Sequence, residues 1–175
     1  MRRRENKTDY RKRLDYLKSG MPRAVVRKTN NQVIVQVITY SPEGDETVAS
    51  AKSNELEDFG WKANTGNLPA AYLTGLLCGY KAKKEGINNV IPDLGLQNIQ
   101  YGTRIFSGFK GVKDSGLSME VDEKVFPPEE RIKGEHIENY AREDSSNFDG
   151  DSEASKNITD NFKTVKENII AELGE

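Results

Sequence analysis

From Asn67 to Cys78 the chain spells a helix with almost no side to turn toward water. Ala70, Ala71, Leu73, Leu76, Leu77 and Cys78 cover most of its circumference, and only Thr74 and Gly75 interrupt them. Asn67 is placed to cap the first turn, and Pro69 sits where its missing N–H does no harm. Lys81, Lys83 and Lys84 oppose the helix dipole before Gly86 ends the run. A helix that is apolar on most sides must be covered on most sides, so the rest of the chain has to wrap it. Gly75 and Gly79, four residues apart, leave a flat spot where a strand or a second helix approaches closely.

The covering material is β upstream and helical downstream. Ala24-Val25-Val26 leads into Asn30-Asn31, a pair suited to a tight hairpin. The return strand, Gln32 to Tyr40, places Val33, Val35 and Val37 on one face and Ile34, Ile38 and Tyr40 on the other. Being apolar on both faces, it is expected to lie in the middle of a sheet and to be covered on both sides. Residues 41–45 read as a second hairpin loop before a third strand around Thr47 to Ala51. Val90 and Ile91 start a fourth strand, which Pro92 confines to an edge or a strand end. A second amphipathic helix is expected from about Thr103 to Ser115, with Ile105, Phe109 and Val112 on its apolar face. Beyond it, Phe126 to Arg131 reads as an extended turn opening one short helix through Ile132 to Tyr140.

Charge is sorted along the chain. Residues 1–30 hold eleven Lys or Arg against Glu5, Asp9 and Asp15, whereas residues 120–175 hold seven bases against sixteen acids. The overall balance of −2 conceals this. Basic side chains on a polyanion release condensed counterions, so the front of the chain suits nucleic acid whatever the mean charge. The pattern divides the chain into a basic arm at 1–20, an α/β core at 21–119, an acidic extension at 120–142, a Ser/Asp/Glu-rich linker at 143–155 and an amphipathic helix at 156–175. Phe162, Val165, Ile169, Ile170 and Leu173 form the stripe of that last helix, which needs a surface on the core or on a neighbour. The arm is expected to carry a short helix ending near Gly20, with Tyr10 and Leu14 as an apolar pair and too little apolar surface to fold alone. One cysteine, no apolar run long enough for a bilayer and a charged front end lead to the expectation of a soluble, cytoplasmic chain with no membrane partner.

Signals for catalysis are sparse and signals for binding are not. His136 falls in a charged, solvated segment, and Cys78 reads as a core thiol. Asp93, with Asp45, Glu46 or Asp114, is the nearest approach to the acid cluster of a metal-dependent nuclease, but only Asp93 falls inside the expected sheet. No cofactor or metal is expected. The first binding cluster is Arg2, Arg3, Arg4, Lys7, Arg11, Lys12 and Arg13, interleaved with Tyr10 and Tyr16, whose rings are of the kind that stack on bases. The second is Gly60 to Asn67, where Trp61, Lys62 and two glycines precede a helix N-terminus, as a phosphate site requires. The same residues equally spell a capping loop with Trp61 buried as an anchor. A protein-interaction module with a basic arm is the alternative in a different class.

This loop also carries a resemblance. Gly60-Trp61-Lys62-Ala63, Thr65-Gly66-Asn67 and Pro69 through Leu77 closely resemble the signature of the archaeal and eukaryotic branch of the 5S-rRNA-binding ribosomal protein family of the large subunit. Lys7-Thr8-Asp9-Tyr10-Arg11, Leu17-Lys18-Ser19-Gly20, Pro22-Arg23, Val33 through Val37, Asp93 through Leu96 and residues 129–137 are similar to further family segments in the same order. The resemblance implies a non-catalytic protein with an α/β core, a mixed sheet flanked by helices and a basic arm. It implies that the protein grips 5S rRNA and helps dock it onto large-subunit rRNA beside neighbouring ribosomal proteins. By position, Lys7, Thr8, Tyr10, Arg11 and Arg13 would contact RNA, with Trp61, Lys62, Thr65 and Asn67 from the loop; Arg23 is a further candidate for RNA binding. Residues 143–175 resemble no segment of that family, and their acidity points them to solvent or to a basic neighbour.

Overall fold

The computed structural model describes residues 8–143 and 152–174. After helix α1 (Tyr10–Lys18) come strands β1 (Arg23–Lys28), β2 (Val33–Ser41) and β3 (Gly44–Lys52), then helix α2 (Leu68–Lys84). Strand β4 (Ile91–Asp93) and helix α3 (Arg104–Asp114) complete the core. Helices α4 (Glu129–Lys133), α5 (Glu135–Glu143), α6 (Ser152–Lys156) and α7 (Ile158–Leu173) follow. The four strands form one sheet in the order β3-β2-β1-β4. Neighbours are antiparallel except β1 and β4, which run parallel, so the sheet is mixed.

Both hairpins form where turn residues separate apolar runs. Thr29 N–H donates to the Gln32 carbonyl at 2.8 Å, closing the turn around Asn30-Asn31. Pro42 and Glu43 make the second turn, so β3 begins at Gly44, earlier than Thr47. The register jumps from Val37↔Ala49 to Ile38↔Thr47, leaving Val48 as an extra residue on β3 and increasing the local twist. Pro92 lies in the edge strand β4, where a missing donor is tolerated.

One face of the sheet carries Ala24, Val26, Val33, Val35, Val37, Ala49 and Ala51, all buried beneath α2 and α3. The other face is only partly covered, contrary to expectation for β2. Ile38 is buried, but Ile34 and Gln36 are half-buried and Tyr40 is exposed. The reason is α1, which crosses that side without contributing a buried residue.

Helices α2 and α3 meet backbone to backbone. A Cβ on Gly75 would lie 2.0 Å from the Gly108 carbonyl oxygen, and one on Gly111 would lie 2.0 Å from that of Tyr72. The Ser107 hydroxyl donates to the Leu68 carbonyl at 2.9 Å inside this contact. Gly75 and Gly79 were legible as a flat spot, whereas their counterparts Gly108 and Gly111 were not anticipated.

The C-terminal helices pile onto the outer side of α2, on the opposite side of the sheet from α1. The single helix expected through Tyr140 is two, because Gly134 adopts φ +90° and turns the chain between α4 and α5. Residues 152–155, expected as linker, lie in α6. The stripe on α7 docks on the core through Ile158, Phe162, Val165 and Ile169, with Phe162 against Tyr72 at 5.5 Å between ring centroids. Ile170, assigned to that stripe, is exposed, because 3.6-residue periodicity turns it past the buried edge.

Candidate nucleic-acid interface

Asp9 caps α1, its carboxylate accepting from the N–H groups of Arg11 and Lys12. This short local cap forms a helix from a segment with no core of its own. Tyr10, Arg11 and Lys12 are exposed, while Arg13 and Tyr16 point into the space between α1 and the sheet. That space is a groove of about 780 Å³, lined by Thr8, Lys12, Arg13, Tyr16, Arg23 and Arg27 among others. Arg2, Arg3, Arg4 and Lys7 lie outside the described residues.

The groove floor is a chain of alternating charge. Arg13 Nη2 donates to both oxygens of Asp45, at 2.9 and 2.8 Å. Arg23 Nη2 donates to Asp45 Oδ2 at 2.8 Å, and Arg23 Nη1 donates to Asp93 Oδ2 at 2.6 Å. The remaining oxygen of Asp93 accepts from the Gly95 N–H at 2.9 Å. Arg23 is only 6% exposed, so it orders the groove and does not offer a free guanidinium to a ligand. Burial, reinforced by the Asp93 carboxylate, pushes the Tyr16 phenol up. Tyr16 is half-buried and correspondingly less available for stacking than Tyr10.

The acids considered for a nuclease do not converge. Arg23 stands between Asp45 and Asp93, while Asp114 accepts the Tyr72 hydroxyl on the helical side at 2.8 Å. Among the described residues no group of three or more His, Cys, Asp or Glu is placed to hold a metal ion.

The second cluster lies elsewhere. Thr65 donates its hydroxyl to the Asn31 carbonyl at 2.7 Å, which puts this loop at the turn end of β1. Arg23 is at the other end, roughly 15 Å away at the rise of a strand. Trp61 is 3% exposed and donates its indole N–H to the Asn64 carbonyl at 3.3 Å. Of the two readings of this loop, the capping anchor is therefore the geometry present: the Trp61 ring has no open face to stack on a base. Asn67 accepts from the Ala70 N–H at 2.8 Å, and Arg104 donates to the Gly66 carbonyl at 2.6 Å. Lys62 remains exposed at the loop surface. Its backbone N–H is held by Asn161 of α7, a partner that the sequence did not announce.

The sheet separates two electrostatic surfaces. On one side are α1 and the groove, lined by Lys12, Arg13, Arg23 and Arg27 with Asp9, Asp45 and Asp93; on the other are α4 to α7, which hold nine Asp or Glu against six Lys or Arg. This defines a small α/β protein with one partly open sheet face lined by charged side chains. Residues 1–91 match the family described as "Ribosomal large subunit proteins 60S L5, and 50S L18". The chain is 47% identical over 173 residues to the large ribosomal subunit protein uL18 of Natronomonas pharaonis, covering 98% of this chain and 94% of that one. It is 45% identical over 170 residues to its namesake in Halobacterium salinarum, covering 97% and 92%. The chain belongs to this family of large-subunit ribosomal proteins, structural components and not enzymes. The similarity covers 98% of the chain and so runs on into the acidic tail, for which the motifs alone offered no family counterpart. No helix among the described residues is long and apolar enough to cross a membrane.

Proposed function

We propose that this protein binds 5S rRNA through its N-terminal arm, helix α1 and the adjoining groove, and so helps attach that RNA to the large-subunit rRNA at the central protuberance. The observation that carries the reading is the placement of α1. Helix α1, with Arg11, Lys12, Arg13 and Lys18 against Asp15, stands over the partly open sheet face, and α4 to α7 are stacked beyond α2 on the opposite side. A folded polyanion approaching the basic side meets Arg11 and Lys12 in solvent, with Tyr10 exposed beside them. These cations fix position through phosphate contacts, and discrimination among bases falls to aromatic and polar side chains. The loop contributes Lys62 directly, with Thr65 and Asn67 at its rim, and Trp61 acts through the backbone it holds. The resemblance carried by Gly60 through Leu77 selects 5S rRNA among structured RNAs. Neighbouring ribosomal proteins are the expected partners for the acidic face, where a basic surface is complementary.

Gel-shift titration of a 5S rRNA transcript tests the reading. Replacing Arg11 and Lys12 together by Gln is expected to weaken binding and to flatten the log-log salt dependence by about 1.4 to 1.8 units for two lost phosphate contacts. An unchanged affinity and slope would remove α1 from the interface.

A further inference from the structure

We infer that Asp45, an acid in the middle of a basic face, is a positioning residue that holds helix α1 in its RNA-facing pose. The inference rests on the RNA-binding reading above. Helix α1 has no buried residue, and its apolar side chains Tyr10 and Leu14 are 46% and 53% exposed. Tyr16 and Leu17 are half-buried, so apolar contact contributes to docking but seats no side chain of α1 fully. The ion pair to the body is made by Arg13, whose Nη2 meets both oxygens of Asp45 within 2.9 Å, beside Tyr16 in the same groove. Asp45 stands at the start of β3, beside the Pro42-Glu43 turn, and is fixed in its turn by buried Arg23. Arg23 is fixed by Asp93, and Asp93 by the Gly95 backbone. The order of dependence runs from a strand of the rigid sheet outward to the arm. An arm held in place before binding does not have to be ordered during binding, and that saving appears as affinity.

The sign of the effect separates this role from plain electrostatics. Asp45→Asn removes a negative charge from the face offered to RNA, which by Coulomb's law alone tightens binding. As a tether, Asp45 gives the opposite result: the same substitution weakens binding to the 5S rRNA transcript by about threefold or more, the scale of one geometrically good ion pair. Amide exchange along residues 11–18 of the free protein is expected to speed up in the same variant. Glu46→Gln, one residue away on an exposed side chain, provides the matched charge change and is expected to leave affinity equal or slightly higher. Arg13→Gln removes the cation that Asp45 holds and is expected to reproduce the faster exchange along residues 11–18. In an Arg13→Gln background, Asp45→Asn should no longer weaken binding. Equal or tighter binding by Asp45→Asn, an Arg13→Gln variant whose exchange along residues 11–18 is unchanged, or a full Asp45→Asn loss in the Arg13→Gln background would each overturn the inference. Failure of the unmodified chain to bind the transcript, read in the same titration, would overturn the RNA-binding reading itself.

Discussion

Asn161 of α7 accepts a hydrogen bond from the backbone N–H of Lys62 at 3.0 Å, and its amide donates to the carbonyl of Gly60 at 2.8 Å. One side chain from the acidic tail thus closes two backbone groups of the loop that precedes α2. Asn168 repeats the pattern one step upstream, donating to the Phe59 carbonyl at 2.9 Å. The last helix is a strap across the loop and not a loose appendage.

Asn161→Ala is expected to cost about 1 to 3 kcal/mol, because both loop groups lose their partner. Denaturant midpoints check the stability change. Amide exchange at Lys62 checks its location, and an unchanged exchange rate there would contradict the strap.

Gly111→Ala is expected to destabilise by about 3 kcal/mol or more, since the new methyl group meets the Tyr72 and Leu76 backbone and no flexible side chain can yield. Gly108→Ala meets Val26 methyl groups at 3.2 and 3.3 Å, a contact that small shifts relieve, and should cost clearly less. Thermal melts of the two variants should differ in that order.

Trp61→Ala is expected to lower stability by about 3 to 5 kcal/mol, the range for truncating a buried large aromatic side chain. Its 5S rRNA affinity, measured well below the melting transition, should fall only modestly, because the ring is not exposed. A large affinity loss with an unchanged melt would instead mean that the indole touches RNA.

Burial pushes the Cys78 thiol up to about 12 from an ordinary 9.0. Its stabilising contribution is complete below pH 9.0 and is lost as pH rises toward about 12, because only the unfolded chain ionises in that window. The slope from this group is about 1.4 kcal/mol per pH unit. Cys78→Ala should flatten the alkaline limb of the stability curve relative to the unmodified chain. Iodoacetamide at pH 8 should label the thiol only after unfolding.

Local chemistry made much of this legible in the sequence. Asn67, Pro69 and the three lysines before Gly86 set the limits of α2, and the valines at alternate positions of β2 identified its buried face. Pro92 identified an edge strand. What escaped was non-local. Nothing in the neighbourhood of Asp45 says that Arg13 and Arg23 will share it, because those three are brought together only when α1 crosses the sheet. Asn161 and Asn168 read as ordinary polar positions on an amphipathic helix until the loop they close is known. Trp61 was ambiguous because an anchor and a stacking platform need the same residue; only its burial separates them. The helix break at Gly134 is not legible, since two short helices leave the acidic composition unchanged.

The proposed function is that the face that carries α1 grips 5S rRNA. Its most direct test is a titration of the intact protein against the 5S transcript over a range of salt, with an unrelated structured RNA as competitor. The expected result is preferential 5S binding, with log affinity falling linearly in log salt by about 0.7 to 0.9 per phosphate contacted. Binding that is absent in dilute buffer, or that the unrelated RNA displaces equally well, would contradict the account.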